Sequence, residues 1–143
     1  MKKISIALLI YLQISLLAGD LLFASVVIDD RSYKATITRD VWGVPHVFGK
    51  TDADAAFGMA FAHAQDDIKN LTDNISLYRA EMGLKQGLKG VVSDYLIKAL
   101  KIREMVAEGY EAKLSSQVRE VIEGYVAGLN FWIDLHPNRD YQA

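Results

Sequence analysis

The 143-residue sequence contains no cysteine, which excludes disulfide bonds, thiolate zinc sites and a cysteine nucleophile. It also carries little excess charge, because 16 basic and 18 acidic residues leave a formal net charge of −2. A nucleic-acid-binding protein normally presents a basic face, so we expect no nucleic acid partner. The length suffices for one domain with a modest core, and no repeat, linker or low-complexity segment divides it.

Histidines are also few. His46, His63 and His136 are far apart, and none has a histidine or cysteine four residues away. A local metal-binding pair is therefore not formed, and we predict no metal site. His46 and His63 are each open to two interpretations, a general base or a structural histidine held by hydrogen bonds, and we favour the structural one.

The N-terminus has the pattern of a signal peptide. Lys2 and Lys3 precede an apolar run from residue 4 to 17. We predict that residues 1–24 are removed, although the cleavage site is uncertain, and that residues 25–143 form the mature chain in the periplasm or outside the cell. The alternative is an uncleaved anchor, but Gln13 and Asp20 argue against a full membrane span, and we expect no membrane segment after cleavage.

A β-hairpin is predicted next. Apolar and polar residues alternate from Tyr33 to Arg39, which is typical of a half-buried strand. Asp40 to Gly43 supplies the residues of a tight turn, and Val44 to Phe48 forms the returning strand. Because Pro45 cannot donate a hydrogen bond to a neighbouring strand, we place this second strand at a sheet edge.

About three helices are predicted after the hairpin. The first begins at a capping box formed by Thr51 and Asp54 and buries apolar residues spaced by three and four: Phe57, Phe61, Ala64, Ile68, Leu71, Ile75 and Tyr78. Residues 79–90 contain three glycines and are predicted to be a loop or a frayed helix end. The overall prediction is an α+β fold.

The second helix is expected from Ser93 or Asp94 to about Leu114, with these inner residues: Leu96, Leu100, Ile102, Val106 and Tyr110. The third begins after Ser115 or Ser116 and ends before Pro137. Its predicted inner residues are Val118, Ile122, Tyr125, Leu129 and Trp132. Gly124 and Gly128 form a notch in it where a neighbouring helix or loop can approach closely.

Two adjacent carboxylates occur in the first helix. Asp66 and Asp67 point about 100° apart on a helix, so they cannot flank one scissile bond as a catalytic pair. We expect one of them to face inward. Arg39 and Asp40 are predicted to pair with Asp66 or with groups beyond this chain.

Three segments resemble a known family. Residues 39–47 read RDVWGVPHV, residues 56–66 read AFGMAFAHAQD, and residues 123–133 read EGYVAGLNFWI. Their order and spacing resemble the opening of the mature chain in the penicillin acylase (penicillin amidase) family. The resemblance covers about residues 33–136. GYVAGLN followed by LHP is more similar to the branch that hydrolyses acyl-homoserine lactones.

The resemblance implies a part of the αββα sandwich of the N-terminal nucleophile hydrolases. In that family a precursor cleaves itself, and the serine exposed at the start of the second chain attacks the amide, with its own α-amine as base. The printed sequence ends before such a junction. We therefore expect no catalytic, cofactor-binding or metal-binding residue here, including for the calcium that some relatives bind, and we expect a second, nucleophile-bearing chain as partner. Ser25 is rejected as the nucleophile because no second-chain motif follows it.

The resemblance also assigns roles within the first helix. It makes Asp66 the inward-facing carboxylate, which with Gln65 ties the helix to the hairpin. Asp67 stands where members of the family often have arginine, so a salt bridge made by that residue is in doubt. Phe57, Phe61, Phe131 and Trp132 are the aromatic residues nearest to a possible acyl pocket, but their helical spacing favours a core position.

Two functions from different classes follow. The first is the N-terminal portion of an exported amidohydrolase that acts on N-acyl substrates such as β-lactam side chains or acyl-homoserine lactones, and that is inactive without its second chain. It would come from a truncated gene, an incomplete sequence or a split enzyme. The second is a non-enzymatic periplasmic helical binding module or the product of a decayed gene. In either case we expect exposed apolar stripes and self-association.

The fold prediction can be tested on residues 25–143 by far-ultraviolet circular dichroism. We expect a spectrum dominated by helix, since about three helices and only one hairpin are predicted. A mainly β spectrum would contradict the assignment.

Overall fold

A computed structural model describes residues 24–137, so the predicted signal peptide lies outside the described residues except for Ala24. Three antiparallel strands open this part of the chain: β1 (Ala24–Asp29), β2 (Lys34–Arg39) and β3 (Pro45–Gly49). β2 lies in the centre. The hairpin of β2 and β3 and the edge position of Pro45 are as predicted, whereas β1 was not foreseen.

The turn between β2 and β3 is held by a single aspartate. The Asp40 carboxylate accepts hydrogen bonds from the Trp42 and Val44 N–H groups, both at 2.9 Å. Gly43 has a φ of 82°, which a residue with a side chain rarely adopts. The turn chemistry predicted for residues 40–43 is therefore confirmed.

The helix α1 (Asp52–Tyr78) begins at the predicted capping box, in which Thr51 and Asp54 exchange hydrogen bonds. In its first half, Phe57 and Phe61 are buried against the sheet and the last helix. The helix is interrupted at Asp67, where φ is −153° and ψ is 57°. Beyond this kink the predicted inner residues Ile75 and Tyr78 are 41% and 59% exposed, so the prediction of one continuous buried stripe is wrong.

Three helices fill the region between residues 82 and 113: α2 (Met82–Gln86), α3 (Leu88–Ala99) and α4 (Ile102–Lys113). The loop or frayed helix end predicted for residues 79–90 is therefore wrong, except at residues 79–81 and 87, which lie outside the helices. The Asp94 carboxylate accepts hydrogen bonds from the Met82 and Gly83 N–H groups at 2.8 and 2.7 Å, which fixes α2 against α3.

The single second helix predicted from residue 93 to 114 is also wrong. Lys101 has a left-handed φ of 53° and separates α3 from α4. Because the chain changes direction there, the apolar residues do not form one inner face: Leu96, Leu100 and Val106 are exposed, and α4 has no buried residue.

The last helix, α5 (Ser116–Leu135), has Ser115 as its N-cap, and the chain leaves the helix at His136, before Pro137. Gly124 packs against the carbonyl of Ala53 and Gly128 against that of Phe57, which confirms the predicted notch. Of the predicted inner residues, Leu129 and Trp132 are buried and Tyr125 is half-buried. Val118 and Ile122 are exposed, because α1 covers only the C-terminal part of this face.

The core lies between the sheet, α1 and α5, and comprises Ile28, Ala35, Ile37, Phe57, Ala60, Phe61, Ala62, Ala64, Leu129 and Trp132. Burying a side chain such as Phe57 contributes about 1.5–3 kcal/mol to folding. The fold is α+β as predicted, and residues 24–137 contain a three-stranded sheet in place of a hairpin and five helices in place of about three. Every helix within residues 24–137 is too short or too polar to cross a bilayer.

The contact between α1 and α5 can be tested with Gly128→Ala. The added Cβ would overlap the Phe57 carbonyl, so we expect a loss of about 1–3 kcal/mol in the free energy of unfolding, measured by urea denaturation. Gly109→Ala is the matched control in α4, where the nearest atom is the flexible end of Lys113. It should gain up to about 1 kcal/mol from the helix propensity of alanine. Equal effects of the two variants would contradict the close approach.

Candidate functional site

The Arg39 side chain joins the hairpin to α1. Its Nη2 lies 2.8 Å from Oδ1 of Asp66, and its Nη1 lies 3.2 Å from Oδ2 of the same carboxylate. The guanidinium also donates to Oε1 of Gln65 at 3.2 Å and to the carbonyl of Gly43 at 2.7 Å. We call Arg39, Gly43, Gln65 and Asp66 the Arg39 cluster. Its bidentate geometry fixes the turn relative to the helix more firmly than a single contact would.

The cluster confirms one prediction and corrects another. Arg39 pairs with Asp66, and Asp66 and Gln65 tie the helix to the hairpin, as expected. The Asp66 side chain is nevertheless 49% exposed and does not face the interior. The reason is geometric: Arg39 lies at the end of β2 beside the turn, so its partner on α1 lies at the border of the core.

Asp40 and His46 form a second contact within the hairpin. Nε2 of His46 lies 3.3 Å from Oδ2 of Asp40, and the imidazole is largely exposed. Partial burial of Asp40 raises its pKa, but hydrogen bonds from Val44, His46 and Trp42 outweigh this and lower the pKa below its ordinary value. Asp40 is therefore an acceptor that holds the turn, and the structural interpretation of His46 stays a prediction.

His63 links the two long helices. Its Nδ1 is hydrogen-bonded to the hydroxyl of Tyr125 at 2.9 Å, and burial raises the pKa of that tyrosine. His136 donates from Nδ1 to the Trp132 carbonyl at 2.7 Å and stacks on the Trp132 ring. The three histidines thus lie at three separate places. No group of three potential metal ligands occurs within the described range of 24–137.

Asp67 has a role that the sequence analysis missed. Its carboxylate accepts hydrogen bonds from the N–H and side-chain amide of Asn70, at the point where its own backbone leaves the helical conformation. It therefore caps the second half of α1. The signal was an aspartate three residues before an asparagine, but the pattern lay inside a periodic apolar stripe that favoured an unbroken helix.

Asp54 connects the start of β2 to the start of α1. Oδ1 accepts from the N–H of Lys34 at the start of β2, and Oδ2 accepts from the Thr51 backbone and hydroxyl at the start of α1. The hydrogen bond from Lys34 is the largest influence on the pKa of Asp54, which lies below its ordinary value. The capping box was predicted, but its link to the sheet was not.

The hydrogen bonds of the candidate side chains hold elements of the fold in place. The hydroxyls of Ser25 and Thr38 bond to each other at 3.2 Å, and His46 bonds to Asp40 and His63 to Tyr125. The four aromatic residues considered for an acyl pocket belong to the core or pack against it, as their spacing indicated. The expected absence of catalytic, cofactor and metal residues from this chain stays a prediction.

The chain belongs to the penicillin amidase family, whose model matches residues 34–142. It is 32% identical over 114 residues to penicillin acylase 2 proenzyme of Pseudomonas sp. (strain SE83), covering 78% of this chain and 14% of that protein. It is 29% identical over 119 residues to the acyl-homoserine lactone acylase PvdQ of Pseudomonas savastanoi pv. phaseolicola (strain 1448A / Race 6), covering 78% and 15%.

The fold has a solved counterpart. A thermostable penicillin G acylase from Alcaligenes faecalis matches with a TM-score of 0.60 and 22% identity, over 81% of this chain and 57% of that one. The family resemblance inferred from three segments is therefore confirmed, and the fold is shared with part of a penicillin G acylase chain. The chain spans about one seventh of the length of the curated relatives described above.

The electrostatic role of Asp54 gives a pH-dependent prediction. Because its pKa is lowered on folding, its contribution is complete above the unfolded value of about 3.9 and is lost as the pH falls through the folded value. We expect Asp54→Asn to cost about 1 kcal/mol at pH 7, from the weakened cap. Its stability should then decline less below about pH 4 than that of the parent chain.

Asp52→Asn is the matched control, because Asp52 lies in the same helical turn but makes only a 3.4 Å contact, with Gln117. It should keep the acid-dependent decline of the parent chain in thermal unfolding at each pH. The same decline in the parent chain and in Asp54→Asn would refute the assignment.

Proposed function

We propose that this chain is the N-terminal portion of an exported hydrolase that cleaves the amide bond of N-acyl substrates. The observation that carries the proposal is the family match over residues 34–142, which includes the whole Arg39 cluster. Because penicillin and acyl-homoserine lactone acylases are among the relatives, we propose that the substrate carries an apolar acyl group on an amide nitrogen. No cofactor is required by this chemistry, in which a serine hydroxyl and an amine suffice.

In this proposal the chain supplies structure, and the nucleophile lies on a second chain of the same precursor. The Arg39 cluster and Asp54 hold the hairpin against α1, and the core residues hold α1 against α5. The proposed periplasmic or secreted location rests on the N-terminal Lys2, Lys3 and the apolar run that follows them.

The exposed face of the sheet supports the proposal that a further layer of the protein covers it. Residues alternate along each strand, so Val27, Thr36 and Phe48 lie side by side on the face opposite to α1. Val27 and Phe48 are exposed there. A sheet with apolar residues on both faces is typical of one covered on both sides. We propose that the partner chain contributes the covering layer, in the αββα arrangement.

The large exposed apolar residues also leave room for the alternative, a non-enzymatic binding module. Trp42, at the tip of the hairpin, is 86% exposed. An aromatic residue in this position is a suitable anchor for another protein. The two functions differ in whether hydrolysis appears when the second chain is supplied.

The purified 143-residue chain should not hydrolyse a long-chain N-acyl amide, and co-expression with the polypeptide encoded immediately downstream should restore hydrolysis. Arg39→Ala should reduce the restored activity by about tenfold or more, because removing a bidentate contact misplaces the hairpin. Arg31→Ala is the matched control and should leave activity unchanged, since its side chain lies in the exposed loop between β1 and β2.

Release of the free acyl chain, followed by chromatography, measures the reaction. Hydrolysis by the chain alone would show that its nucleophile has been wrongly excluded. If no hydrolysis appears with the downstream polypeptide although the two chains associate, the binding module is favoured instead.

A further inference from the structure

An apolar groove of about 660 Å³ lies between the second half of α1, α4 and α5. Its lining is provided largely by Leu71, Ile75, Tyr78, Ile102, Val106 and Leu129. The volume is within the range of small-molecule sites, about 300–1,000 Å³. Three exposed apolar residues that the fold leaves without an explanation, Ile75, Tyr78 and Val106, therefore share one concave surface.

One end of the groove is basic. Arg79, Arg103 and Ala107 line both the groove and an adjoining cavity, which also contains Lys98. Arg79 pairs with Glu81 through Nε. Neither Lys98 nor Arg103 forms an ion pair within the part of the chain that the structure describes, although Glu104 lies beside the same cavity. The apolar groove thus ends beside three cations, Arg79, Lys98 and Arg103, of which only Arg79 is paired with a carboxylate in the described residues.

From this arrangement we infer that the groove binds a free long-chain carboxylate, with its hydrocarbon chain along α1 and α4 and its carboxylate beside Arg79 and Arg103. A hydrocarbon chain has no hydrogen-bonding groups to satisfy, whereas an extended peptide would leave backbone groups without partners against this apolar lining. Guanidinium groups suit a carboxylate, which they can bind through two parallel hydrogen bonds. The inference concerns binding by this chain and does not depend on the proposed hydrolysis.

The test is calorimetric titration of the 143-residue chain with decanoate, below its micelle concentration, and in parallel with 1-decanol. We expect saturable 1:1 binding of decanoate and weaker binding of decanol. Arg103→Gln should weaken decanoate binding by about fivefold, as expected for an accessible ion pair, and leave decanol binding unchanged.

Val106→Asp and Met105→Asp provide a matched pair, since the two residues are neighbours on α4 and are 61% and 56% exposed, but only Val106 lines the groove. Both variants add one negative charge at a solvent-accessible position. Val106→Asp should weaken decanoate binding by about tenfold or more, because a carboxylate is placed against the hydrocarbon chain. Met105→Asp should weaken it by no more than about twofold, through long-range repulsion.

Several results would overturn the inference. These are no binding of decanoate, equal binding of decanoate and decanol, or equal losses in the two aspartate variants. Sedimentation with anionic phosphatidylglycerol vesicles distinguishes a membrane surface from a free ligand. Association with vesicles without binding of monomeric decanoate would also refute it.

Discussion

The close approach of α1 and α5 is the constraint on which the rest of the structure depends. Gly124 and Gly128 bring α5 against the backbone of Ala53 and Phe57, one helical turn apart. Only at this separation can Trp132 and Leu129 from α5 meet the aromatic residues of α1 in one core. The sheet packs against this pair of helices, and the contacts of the hairpin lie at the border of the core.

Polar contacts define the position of the hairpin on that core. Arg39 holds the turn from one end of β2, and Asp54 holds the other end through the Lys34 N–H. The two contacts lie at opposite ends of a single strand, so β2 can neither slide nor rotate on α1 without breaking one of them. This explains why a segment of a larger family fold has a defined arrangement of sheet and helix.

The sequence predicted local features well and boundaries between helices poorly. The capping box at Thr51 and the turn at Asp40 depend on residues close together in sequence. The notch at Gly124 depends on glycine having no side chain. The interruptions at Asp67 and Lys101 could not be predicted in this way, because the apolar spacing continues through both. The exposure of Asp66 was also missed although its partner Arg39 was predicted, because the pairing alone does not show that the end of β2 lies at the border of the core. Residues that act through long-range contacts, such as His63 with Tyr125, leave no local pattern.

The interruption at Asp67 divides α1 into two segments, each with its own N-terminal cap, Thr51 for the first and Asp67 for the second. Residues before it are covered by the sheet and α5, whereas after it Ile68 and Leu71 still pack against the core and Ile75 and Tyr78 border the groove. Cooperativity along a helix depends on an unbroken ladder. The second segment of α1 can therefore fray with less effect on the first than it would in an uninterrupted helix, and Leu71 and Leu129 are the residues that join the groove to the core.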